Sequence, residues 1–110
     1  GMQCIGSYLG YRVSRAPSVM HGKADRVRIT SGDSVLFRGM PDSFQAVRYH
    51  SLAVYHEGRD VTSRADSDNS AMSIENKKMN LFGVQFHPES ILSEYGMEIV
   101  MNFIKHSEVS

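Results

Sequence analysis

Apolar and polar residues along this chain change period several times, and those changes divide it into elements. Ile5, Tyr8 and Leu9 recur at helical spacing within residues 2–10, predicting a short helix that ends at Gly10. Tyr11 to Ser14 alternates with the period of a strand, and Val27 to Ile29 is a second strand candidate. Ser34 to Phe37 fits either a strand or one helical turn, and Gly39-Met40-Pro41-Asp42 reads as a turn. Phe44 to Arg48 and Leu52 to Tyr55 are extended segments flanking Tyr49-His50-Ser51. Val61 to Ala65 and Ala71 to Ile74 read as strands joined through the turn-rich Asp66-Ser67-Asp68-Asn69-Ser70, and Asn76 to Asn80 is a further polar turn. Leu81 to Phe86 has the strongest buried-strand character. Leu92, Tyr95, Ile99 and Phe103 then fall three or four residues apart, as on an amphipathic helix. Glu89 and Glu94 near its start and Lys105 and His106 near its end would suit the helix dipole. The result is a strand-rich pattern with one helix at each end.

Composition narrows the picture. The chain has 110 residues, enough for one domain with a single modest core. With 41% hydrophobic and 22% charged residues it belongs with globular rather than disordered chains. Twelve basic residues balance twelve acidic ones, which argues against a general nucleic-acid binder. Arg12, Arg15, Lys23, Arg26 and Arg28 form a local basic bias, either a solvated face or a docking surface. One cysteine, Cys4, rules out an internal disulfide framework and a Cys-based zinc site, and a cytoplasmic location is the default. No apolar stretch is long enough to span a membrane, and no secretory signal pattern stands at the front. Gly1-Met2 also fits a tag remnant before a start methionine. The seven methionines read as core filler.

Residues 83–90, Gly-Val-Gln-Phe-His-Pro-Glu-Ser, carry the most chemistry. Pro88 stops the apolar run, so His87 and Glu89 stand two residues apart at a strand end. An imidazole there can move protons, and a neighbouring carboxylate can fix its tautomer and stabilise the imidazolium. As a metal site the pair lacks a convincing third ligand, so neither a metal nor another cofactor is expected. His21 and His50, by themselves, read as surface or turn residues.

Five blocks change the weight of that pair. They are Val13-Ser14-Arg15-Ala16, Met20-His21-Gly22-Lys23, Phe37-Arg38-Gly39-Met40-Pro41, Arg48-Tyr49-His50-Ser51-Leu52, and Gly83 through Glu94. In order and spacing the chain resembles the class I, or triad, glutamine amidotransferases. Within them it is most similar to the small subunit of anthranilate synthase and 4-amino-4-deoxychorismate synthase. The resemblance implies an α/β, flavodoxin-like fold: a mostly parallel central sheet, flanking helices and an added antiparallel region. Residues 1–110 would form the C-terminal portion of the amidotransferase domain, keeping the antiparallel region and part of the central sheet.

The resemblance also implies roles. Family members carry a nucleophile elbow, Gly-x-Cys-x-Gly-x-Gln, whose last three residues match Gly1-Met2-Gln3. Met2 stands where histidine is frequent, and Tyr11 replaces a second glycine. Cys4 then follows the elbow glutamine and is not the nucleophile. A nucleophile at Cys4 would require glutamine at position 8, which holds Tyr8, and an elbow needs a preceding strand. Cys4 is read instead as a buried helix cysteine. His87 would relay a proton to departing ammonia, and Glu89 would orient His87. Gln3, Ser51 and Leu52 match positions that hold the substrate L-glutamine, and His21 and Lys23 would lie near a chorismate-utilising synthase subunit. The expected function is release of ammonia from glutamine for anthranilate or p-aminobenzoate synthesis, in the tryptophan or folate pathway, with the chain inactive alone. The alternative is a non-catalytic binding or assembly module derived from this family. An uncovered sheet edge and apolar face predict a homo-oligomer.

Overall fold

The computed structural model describes residues 2–109, with side chains described through Ser107. Helix α1 spans Met2–Tyr8, strand β1 Arg12–Ile29 and strand β2 Ser43–Tyr55. Strands β3, Val61–Ala65, and β4, Ala71–Asn76, follow, then β5, Leu81–Val84, β6, Phe86–His87, and helix α2, Gly96–Val109. One six-stranded sheet has the order β5-β4-β3-β1-β2-β6, with antiparallel pairing throughout the described residues. Its two edge strands are neighbours in the chain, separated only by Gln85. The sheet therefore curls until one short segment serves both edges. Gln85 is the corner, and its N–H donates to the Met72 carbonyl at 2.8 Å.

Two apolar clusters hold the layers together. Val27, Phe37, Phe44, Met72, Phe86 and Ile99 belong to the first, which includes α2. Met2, Val54, Val61, Ala71 and Ile74 form the second, with Ile5 and Leu9 of the α1 end packed against it. Phe44, Val27, Met72 and Ile74 are fully buried. Burial of such a side chain contributes about 1.5–3 kcal/mol relative to leaving it in water.

Several sequence expectations change. The strands predicted at Tyr11–Ser14 and Val27–Ile29 are ends of one long β1, and those flanking Tyr49-His50-Ser51 join into β2. Polar residues between the predicted pieces had hidden this continuity. Ser34 to Phe37 is neither strand nor helix but a buried turn. The Glu75 carboxylate holds that turn, accepting from the Val35 N–H at 2.8 Å, the Leu36 N–H at 3.3 Å and the Ser34 hydroxyl. Leu81–Phe86 is not the most buried strand: it breaks at Gln85 and β5 is only half-buried, whereas β4 is buried over Ala71–Glu75.

In α1, Met2 and Gly6 are buried and Tyr8 is 73% exposed, because a seven-residue helix on a sheet buries a single narrow stripe. Helix α2 begins at Gly96, so Leu92 and Tyr95 precede it, and Glu98 rather than Glu89 or Glu94 occupies its first turn. Of the methionines, Met2, Met20 and Met72 are buried, but Met79, Met97 and Met101 are exposed.

Candidate active site

The sheet corner at Gln85 delivers His87 to the edge beside β2, where His87 pairs with Val47 and Phe86 with Arg48. Past Pro88 the chain folds back along β2. Ser93 and Glu94 then take over the ladder: the Val47 N–H donates to Ser93 Oγ at 2.9 Å, and the Gln45 N–H to Glu94 Oε1 at 2.6 Å. The Glu94 N–H returns a bond to the Gln45 carbonyl at 2.8 Å. Ser93 Oγ also donates to the His87 carbonyl at 2.6 Å, and the Ser90 N–H to the same oxygen at 3.2 Å. The start of α2 closes the loop. A Cβ on Gly96 would lie 1.9 Å from the Pro88 carbonyl oxygen, and Tyr95 adopts φ 58° to bring the chain there. A β carbon at position 96 has no space, so glycine is required.

Within this frame His87 Nδ1 and Glu89 Oε2 stand 2.8 Å apart. Both side chains remain accessible, His87 at 45% and Glu89 at 71%. The Glu89 carboxyl is held below its usual pKa, first by its own backbone N–H and then by the bond to His87. An ionised Glu89 accepts from the Nδ1–H and so leaves the Nε2 lone pair free to take another proton. That is the arrangement a proton-relaying imidazole needs.

The other predicted residues divide. Gln3 Nε2 donates to the Leu52 carbonyl and to Gln85 Oε1, each at 3.3 Å, so α1, β2 and the strand corner meet at one side chain. Gln3 is thus tied to the chain two residues before His87. Helix α1 comes this close because Gly83 has no side chain: a Cβ there would meet Ile5 Cδ1 at 2.9 Å and Met2 Cα at 3.1 Å. Ser51 and Leu52 are exposed on β2 beside this cluster. His21 and Lys23 are exposed on β1, either side of a bulge at Gly22. The His21 and Tyr49 rings form a T-shaped contact, centroid to centroid 6.3 Å, and Tyr49 contacts the His87 ring at 6.1 Å. Cys4 is exposed on α1, not buried as expected, since the helix turns Met2 and Gly6 to the core. The expected elbow glycine, Gly1, lies outside the described residues.

His50 is a further correction. It is buried, with 7% exposure, not a surface or turn residue. Its Nε2 accepts from Arg48 Nε at 3.1 Å, which places the ring proton on Nδ1, 2.8 Å from the Leu52 carbonyl. Burial, chiefly, pushes the His50 pKa down, with the Arg48 charge adding to this and the Leu52 carbonyl opposing it. Arg48 is fully buried and paired with Asp25 at 2.8 Å and Asp68 at 3.0 Å. Sequence reasoning also passed over Tyr49, Arg48 and Gln85. The signal for Tyr49 and Arg48 was their place inside the Arg-Tyr-His-Ser-Leu block.

An open cleft of about 1160 Å³ lies elsewhere, flanked by Asp33, Glu57, Asp60, Arg64, Lys77 and Lys78, and none of the predicted site residues lines it. Among the described residues no group of three or more His, Cys, Asp or Glu side chains could hold a metal ion. Among them, too, no helix is long and apolar enough to cross a membrane.

Known proteins resemble this chain over nearly its whole length. Anthranilate synthase component 2 of Lactococcus lactis is 41% identical over 108 residues, covering 94% of this chain and 54% of its own length. The same component of Methanocaldococcus jannaschii is 37% identical, covering 96% of this chain and 57% of its own. The chloroplastic anthranilate synthase beta subunit 1 of rice is 41% identical, covering 98% of this chain and 40% of its own. The chain thus spans about half the length of these curated relatives. A solved glutamine amidotransferase of Thermotoga maritima superposes with a TM-score of 0.68 at 20% identity, covering 99% of this chain and 44% of that one. A GMP synthase chain of Thermoplasma acidophilum superposes with a TM-score of 0.87 at 22% identity, covering 99% of this chain and 54% of that one. These neighbours share the strand-rich α/β fold with a helix at each end. The family model for glutamine amidotransferase class-I matches residues 1–107, and the chain belongs to that family.

Proposed function

We propose that this chain carries the proton-relay and substrate-holding side of a glutaminase site that supplies ammonia to a chorismate-utilising synthase. The observation that carries it is the 2.8 Å contact between His87 Nδ1 and Glu89 Oε2, with Nε2 left free. A thiolate attacks the side-chain amide of L-glutamine, and His87 Nε2 delivers a proton to the departing nitrogen while Glu89 stabilises the imidazolium. Water then releases glutamate from the thioester. Gln3, Ser51 and Leu52 hold the glutamine.

Cys4 is not the thiol. It lies exposed inside α1, Met2–Tyr8, rather than on the strand-to-helix turn that activates such a nucleophile. The thiol belongs to the part of the domain that relatives have and these 110 residues do not span. The chain by itself therefore releases no ammonia. The 37–41% identity to anthranilate synthase subunits favours the tryptophan branch over the folate branch. His21 and Lys23, exposed at the β1 bulge, face the synthase. The exposed apolar stripe of Met97, Val100, Met101 and Ile104 on α2 supports self-association, which sedimentation at micromolar concentration checks.

The test is a fusion. The part of the Lactococcus lactis relative that this chain does not span is joined ahead of it, and ammonia release from glutamine is measured. Activity in the fusion and none in the chain alone is expected. A folded fusion that binds the synthase but releases no ammonia would instead favour a non-catalytic assembly module.

A further inference from the structure

We infer that Tyr49 is a positioning residue for His87, held in place by the Gly22 bulge; this rests on the reading of His87 as the proton relay. The strand register puts the two rings together. His87 pairs with Val47, so Tyr49, two residues along β2, is its diagonal neighbour. Diagonal neighbours lie within reach of aromatic side chains. The rings meet at 6.1 Å with an interplanar angle of 82°, an edge-to-face contact. Tyr49 remains 60% exposed, so core packing does not explain its placement.

The bulge supplies the support. Register is Met20↔His50 and His21↔Tyr49 before Gly22, but Lys23↔Arg48 after it, so one extra residue sits in β1. Gly22 takes φ 73°, which strains any other residue. Its missing side chain is where the Tyr49 ring lies: a Cβ at Gly22 would stand 2.8 Å from Tyr49 Cε2. The His21 ring meets the Tyr49 ring in a T-shaped contact at 6.3 Å and 85°. Tyr49 is thus bracketed by β1 backbone, His21 and His87. Glu89 fixes one nitrogen of His87 but is itself largely exposed, and one hydrogen bond leaves a ring free to swing about it. Tyr49 removes that freedom from a second direction.

Two measurements test this. In the isotopically labelled chain, NMR reads the His87 χ1 rotamer and the hydrogen-bonded Nδ1 proton. A single rotamer and an observable Nδ1–H are expected in the parent and in Tyr49→Phe, which keeps the ring. Rotamer averaging and loss of the Nδ1–H signal are expected in Tyr49→Leu and in Gly22→Ala, which displaces the ring from β1. Backbone spectra of β3 and β4 serve as the fold control. In the fusion described above, Tyr49→Leu should lower kcat roughly 2- to 12-fold, the range an edge-to-face contact is worth. KM for glutamine should stay within about twofold, and Tyr49→Phe should restore kcat. An unchanged His87 rotamer and Nδ1–H in Tyr49→Leu overturns the inference, as does a kcat that Phe does not rescue. If that happens while His87→Ala still abolishes ammonia release, the His87 assignment stands and only the Tyr49 role falls. If His87→Ala is without effect, the functional reading falls first.

Discussion

Arg48 Nε donates to His50 Nε2 at 3.1 Å, and through that bond a buried ion cluster reaches the carbonyl of Leu52. Arg48 is locked by Asp25 and Asp68, His50 is locked by Arg48, and the Leu52 carbonyl receives His50 Nδ1–H and Gln3 Nε2. The stretch of β2 that carries Ser51 and Leu52 is thus fixed from beneath. His50→Leu would leave the buried Arg48 Nε–H without its acceptor, a loss of about 1–3 kcal/mol. Urea denaturation at pH 8 measures it.

The burial of His50 sets a pH dependence. Burial holds the His50 pKa below the ordinary 6.5, so on acidification the unfolded chain takes up a proton before the folded chain does. Stability contributed by neutral His50 is complete above about pH 6.5 and is lost as pH falls through the depressed folded value. Asp68, whose pKa lies below 3.8 despite the opposing effect of its burial because Arg48 and Ser70 bond to it, stays ionised in this window. The urea midpoint should fall between pH 8 and pH 5, and fall less in His50→Leu. Parallel declines in both proteins would contradict the assignment.

Gly96 makes a sharper prediction. With the Pro88 carbonyl oxygen 1.9 Å from where a β carbon would sit, Gly96→Ala must push α2 away from the segment holding His87 and Glu89. Stability should fall by about 1–3 kcal/mol, the range for overpacking. Loss of the His87 Nδ1–H signal should accompany it. A variant with parental melting temperature and an intact Nδ1–H resonance would show that the Pro88 contact does not position the pair.

Tyr11 offers an independent check of the α1 end. Its hydroxyl donates to Asp60 Oδ2 at 2.7 Å, and burial, that bond and the Asp60 charge raise its pKa to about 12. The raised value means the folded chain keeps this proton after the unfolded chain has lost it near 10, so its contribution is full below pH 10 and lost as pH rises through 12. Asp60→Asn should bring the Tyr11 ring-carbon titration back toward 10. An unchanged midpoint would remove Asp60 from the cause.

The helices, the β3–β4 hairpin and the His87–Glu89 pair were legible because each is local: a period, a turn-rich linker, a two-residue spacing. The long β1 and β2 were not, because bulges at Ala16–Val19 and Gly22 interrupt their alternation and make two strands look like four. His50 was misread for a related reason. A buried histidine is betrayed by its partners, and Arg48, Asp25 and Asp68 are spread over forty-odd residues of sequence. The break at Gln85 was equally hidden, since one apolar run serves two edges of a curled sheet and only the pairing reveals the corner. Tyr49 lay inside a block quoted for its neighbours Ser51 and Leu52, and nothing local marked its contact with His87 across the sheet.

In the proposed reaction His87 moves the proton and Glu89 orients the His87 ring. The most direct measurement is the glutaminase rate of the fusion carrying His87→Ala, Glu89→Gln or Cys4→Ser. A positioned base contributes roughly a hundred- to ten-thousand-fold, so His87→Ala should lower kcat within that range. Glu89→Gln should lower it less, since a neutral amide can still accept Nδ1–H but cannot stabilise the imidazolium. Cys4→Ser should leave it unchanged. A fusion that turns over glutamine equally well without His87, or that loses activity with Cys4→Ser, would contradict the assignment and leave the Gly-Val-Gln-Phe-His-Pro-Glu-Ser segment a structural corner only.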